Sequence, residues 1–198
     1  MKLSDWTNSL LPETSSPYER AQARIVSNTS LTIGAAMLAL VLYWLLTGTF
    51  EDIETILVLT GLLVLLAGIV ALVKRGNIQL GAWLLTGLIL FLNLSDMAWY
   101  GIGTVASAGF IIPILLAVFS ISPKAGMGVT IFSCVSAFLI SYLAAIGKIT
   151  TEIPYQESNL SFDAPTLSLI YLIVGILAGN WVNSTRDAFL QKKGKSRG

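Results

Sequence analysis

Six apolar runs, each close to the length needed to cross a bilayer, occupy most of this 198-residue chain. A helix needs about 20 apolar residues to traverse ~30 Å of hydrocarbon. The runs fall at about 25–47, 53–73, 78–94, 105–121, 125–146 and 165–182. Charged residues make up only 12% of the chain, against about 25% in soluble domains. Such a chain cannot cover its surface with groups that water accepts. The expected fold is therefore all-α, a polytopic bundle of six transmembrane helices. A polar arm (1–24) precedes the transmembrane domain (25–182) and a basic tail (183–198) comes after it. No stretch remains for a separate soluble domain.

The basic residues orient the bundle. With six crossings, eleven of the twelve Lys and Arg fall on one side, in the arm, the loops at 74–77 and 122–124, and the tail. Only Lys148 falls on the other. The positive-inside rule then places both termini in the cytoplasm. Seven of the eleven acids lean outward, among them Asp96, Glu152 and Glu157.

Local signals punctuate the runs. Pro17 can open a short helix, PYERAQAR, with Arg20 and Arg24 on one face. Thr49 followed by Asp52 reads as a cap for the second span. Lys74-Arg75-Gly76-Asn77 ends that span. Ser122-Pro123 reads as N-cap and first residue of the fifth.

The stretch 93–127 carries the chemistry of interest. Span three is expected to end near Leu94, giving way to a polar outer turn with Asn93, Asp96, Trp99 and Tyr100. A carboxylate ringed by aromatics can bind a cation or amine. The plainer alternative is an interfacial aromatic belt. Gly101 and Gly103 let the chain turn into span four, where Pro113 removes a bond to the carbonyl of Gly109. That pair is a candidate hinge, or else a static kink filled by neighbouring helices. In span six, Gly175 and Gly179 form a GxxxG, and with Asn180 they are candidates for helix packing, including across a homodimer.

The chain has no His, which removes imidazole metal sites, His-ligated haem and a His base. The single Cys134 excludes an intramolecular disulfide. No Walker, HExxH or CxxC motif is present. No enzyme activity, cofactor, metal or nucleic-acid partner is expected; the lipid bilayer is.

The order of these pieces resembles a membrane input module found at the N-terminus of bacterial sensor histidine kinases and diguanylate cyclases. It is most similar to the six-span type common in Chloroflexi and cyanobacteria. The segments that carry the likeness are YERAQARIVSNTSL, KRGNIQLGAWLLTG and SDMAWYGIGTVASAGFIIPILLAVFSISPKAGM. In such modules the last helix, here from Leu172 past Arg186, continues as a signalling helix into an output domain. The likeness implies a sensory role without catalysis, exerted on a cytosolic kinase or cyclase output domain that these residues do not include. It transfers no ligand residue. The alternatives are a small transporter or channel, with outward acids gathering cations, and a structural membrane subunit.

Overall fold

The computed structural model describes residues 17–47, 53–102 and 105–195. Among them the regular structure is helical throughout: α1 (Pro17–Thr47), α2 (Ile53–Lys74), α3 (Ile78–Tyr100), α4 (Val105–Gly109), α5 (Ile111–Ser120), α6 (Pro123–Ala145) and α7 (Ala164–Lys195), with a π-helical turn at Asn159–Asp163 leading into α7. Five of the helices are long and apolar enough to cross a membrane, and the segment 107–120, which runs across the junction of α4 and α5, is apolar but shorter. The chain is thus a multi-pass membrane protein built of helices. The expected cap at Thr49 and Asp52, and Gly103, lie outside the described residues.

The helices differ from the apolar runs at four places. First, α1 begins at Pro17, so PYERAQAR is the start of the first long helix and not a separate one. No Gly or Pro interrupts 18–33, and nothing ends the helix where the polar arm meets the apolar run. Second, α3 continues through Asp96, Trp99 and Tyr100, so the expected outer turn at 95–100 is helical. Polarity there marks where the apolar run ends, whereas backbone bonding persists to Gly101. Third, the run at 105–121 is two helices, α4 and α5, and not one. Fourth, α7 extends through the basic tail to Lys195, so no break separates 182 from 183.

The chain divides into two compact units, residues 1–85 and 86–198. In the first, α1 packs against α2. Gly34 of α1 faces Leu63 and Leu66 of α2. Gly76 ends α2 with φ 88°, and the N–H groups of Gly76 and Asn77 donate to the carbonyls of Val73 and Leu72, both at 3.0 Å. That double bond is a Schellman closure, which favours a left-handed glycine. It turns the chain at once into α3, where Gly81 lies against Val73 and Ile69.

In the second unit α5, α6 and α7 pack on one another. Ser122 caps α6 by accepting from the Ala125 N–H at 3.1 Å, and Pro123 is the first helical residue, as the Ser-Pro pair predicts. Phe110, Ile114, Val118, Ala137 and Tyr171 form the buried centre. Phe119 of α5 meets Trp181 of α7 edge to face, ring centroids 5.6 Å apart.

Candidate functional site

Asp96, Trp99 and Tyr100 stand at i, i+3 and i+4 on the last turns of α3, and so share a helix face. All three are exposed, Trp99 at 70%. Met97, on the neighbouring side, is fully buried. The face offers one carboxylate and two aromatic rings but does not enclose a ligand. Asn93, one turn earlier on α3, has partners of its own. It is half-buried, its Nδ2 donates to the Ile89 carbonyl at 2.8 Å, and its carboxamide lies over Gly109. A Cβ at Gly109 would stand 2.0 Å from Asn93 Oδ1. A side chain at 109 would therefore have to displace the Asn93 carboxamide.

That contact sits beside the break between α4 and α5. The chain leaves α4 at Gly109, and Phe110 turns it into α5. Pro113 is the third residue of α5, in the first turn, where a missing N–H is tolerated. The expected kink at Pro113 is thus displaced three to four residues upstream, to Phe110 and Gly109. The helix restarts there because Pro113 cannot donate to the Gly109 carbonyl in any case. Phe110 is fully buried and its ring lies 5.9 Å from that of Tyr171.

Gly175 and Gly179 are both buried within the chain. A Cβ at Gly175 would come 2.4 Å from Thr130 Oγ1 of α6, and one at Gly179 would come 3.8 Å from Pro123. The GxxxG of α7 is therefore occupied by α6. Asn180 is exposed on the outside of α7.

Sequence reasoning does not single out Ser107 or Tyr171, which together hold the break. The Tyr171 hydroxyl donates to the Ser107 carbonyl, and the Ser107 hydroxyl donates to the Ile102 carbonyl. Close by in sequence on α7, the Ser168 carbonyl accepts from Cys134 Sγ at 3.5 Å. The signal for this pair is a lone phenol in the apolar run SLIYLIV, because a buried Tyr hydroxyl seeks a partner. These bonds tie Ser107 to α7 and α6 to α7, and so position the helices.

The 146–156 loop closes the end of α3. Gly101 takes φ 95° and its N–H donates to the Met97 carbonyl at 3.0 Å, which ends α3. The Glu152 N–H donates to the Trp99 carbonyl at 2.8 Å. Thr151 and the Ile153 carbonyl then lie over Gly101. Between this loop, α3 and α6 is a recess of about 10 Å³ whose wall includes Gly101, Ser141, Thr151, Tyr155 and Asn159. Among the described residues no group of His, Cys, Asp and Glu is arranged to hold a metal ion. Compared with known proteins, the chain matches no family model, no curated protein and no solved structure.

Proposed function

We propose that the chain is a non-catalytic sensory or input module that crosses a bacterial inner membrane six times, with both termini in the cytoplasm. The observation that carries this reading is α7. Its 32 residues form one helix, about 48 Å long at 1.5 Å per residue, which exceeds the ~30 Å hydrocarbon layer. Its N-terminal end continues from the π turn and the 146–156 loop, and its C-terminal end carries the basic tail. A displacement of that loop is thus transmitted along one continuous rod to the cytosolic side, where an output kinase or cyclase domain receives it.

The crossing number rests on charge. Counting α4 and α5 together as one broken span leaves eleven of twelve basic residues inside. Counting only the five long helices would divide them six and six, against the positive-inside rule. Cysteine labelling tests this: residues 75 and 124 should react from the cytoplasmic side and residue 157 only from the other.

The relay is tested by grafting the chain onto a histidine kinase or diguanylate cyclase output domain. Each single-residue insertion after Arg186 rotates the attached output domain by about 100°. Output should rise and fall with a helical period; a flat response to every insertion and stimulus refutes the relay. The transporter reading has one observation in its favour, the broken α4–α5 segment with its proline-freed Gly109 carbonyl, since discontinuous helices build ion sites in transporters. Solute flux in liposomes that is abolished by Asp96→Asn would replace the first reading with that one.

A further inference from the structure

The Ser107 carbonyl is fully taken. A carbonyl oxygen has two lone pairs. One accepts from the Phe110 N–H at 3.4 Å, and the other accepts from the Tyr171 hydroxyl. In an uninterrupted helix the donor to Ser107 would be the Ile111 N–H, four residues on. That bond is not made. The N–H groups of Ile111 and Ile112 have no backbone acceptor among the described residues, and the helix that stops at Gly109 resumes only at Ile111. The phenol of α7 thus stands in the place of the missing helical donor.

Two arrangements of 105–120 therefore compete. In the one observed, α4 and α5 are separate. Pro113 lies in the first turn of α5, where its missing N–H is harmless. Phe110 and Tyr171 are both fully buried, with ring centroids 5.9 Å apart. In the other arrangement, Ile111 and Ile112 donate to the carbonyls of Ser107 and Ala108. The segment is then one helix kinked at Pro113, which membrane helices tolerate. The joined form gains two amide bonds in a medium without water, where an unpaired amide is costly. It requires the phenol to leave, because the Ser107 oxygen has no lone pair left for the Ile111 amide.

We propose that Tyr171 is a latch. Its hydroxyl bond to the Ser107 carbonyl holds the α4–α5 segment broken, and withdrawal of the phenol with α7 lets the two pieces join into one helix. Movement of α7 and the state of the break are then one coupled event that runs in both directions. The latch stands on these bonds and not on the sensory reading, so either can fail without the other.

The test uses the full chain in nanodiscs, with amide exchange resolved residue by residue by NMR. Tyr171→Phe keeps the ring against Phe110 and removes only the hydroxyl. The Ile111 and Ile112 amides should then exchange about three- to tenfold more slowly, because each gains a helical acceptor. Mere loss of a structural bond would move exchange the other way. Unchanged or faster exchange at both amides therefore overturns the proposal. Should Tyr171→Phe not fold, the wild type decides. Ile114 already donates to the Phe110 carbonyl at 3.3 Å, so the Ile111 and Ile112 amides should exchange faster than that of Ile114. Equal protection at all three would mean that the segment is already joined with the phenol in place, and would overturn the latch.

Discussion

The contact between Gly175 and Thr130 permits a test of what the GxxxG of α7 does. A Cβ added at 175 would stand 2.4 Å from Thr130 Oγ1 and 3.3 Å from both Thr130 Cβ and Cγ2. Thr130 cannot swing away cheaply, being fully buried with its hydroxyl bonded to Gly126. Overpacking of this kind costs about 1–3 kcal/mol. Helix propensity returns about 0.8–1.0 kcal/mol when Gly becomes Ala. The expected net loss for Gly175→Ala is about 1 kcal/mol. Gly179→Ala meets only an ordinary contact with Pro123, so it should be neutral or stabilising by up to about 1 kcal/mol.

Thr130→Ala removes the atoms in the way. Its combination with Gly175→Ala should therefore cost less than the two changes taken separately, with a coupling of about 1–3 kcal/mol. Reversible denaturation in mixed micelles supplies the stabilities, and light scattering supplies the oligomeric state. Simple additivity within about 0.5 kcal/mol would mean that residue 175 does not meet Thr130. A shift from dimer to monomer in Gly175→Ala, with monomer stability unchanged, would mean that the stripe joins two copies of the chain instead of α6 and α7.

Two further outcomes concern α3 and its contact with Gly109. Gly109→Ala should destabilise by about 1–3 kcal/mol through collision with Asn93, and Asn93→Ala should restore most of that loss in the double variant; failure to rescue, measured by the same denaturation, refutes the contact. Asp96→Ala, on the exposed face of α3, should change stability by less than about 0.5 kcal/mol, and a loss above about 1 kcal/mol in the same assay would show that the carboxylate has a partner.

The membrane class and most helix positions were legible in the chain itself. Twenty-residue apolar runs have no other stable setting than hydrocarbon, and a helix there must satisfy its own backbone. The start of α6 was equally plain, because Ser122 and Pro123 are a local capping signal that needs no tertiary partner. The end of α3 was not. Asn93, Ser95 and Asp96 look like the beginning of a loop, but polarity reports the edge of the apolar layer and not the end of backbone hydrogen bonding, which lasts until Gly101.

What only the tertiary structure decided is which faces meet. In water, an apolar stripe marks the buried side of a helix. In a membrane, lipid is as apolar as a neighbouring helix, so hydrophobic pattern does not separate inward from outward. Gly175 could have faced another copy of the chain or α6, and its closeness to Thr130 selects α6. Gly109 and Pro113 signalled a weak point in the fourth apolar run, but the break fell at Gly109 and Phe110. There Asn93 needs the space of a missing Cβ, Phe110 fills the centre against Tyr171, and the Ser107 carbonyl finds the Tyr171 hydroxyl. Those partners lie 16, 61 and 64 residues from the groups they meet, and no local pattern in the chain could have joined them.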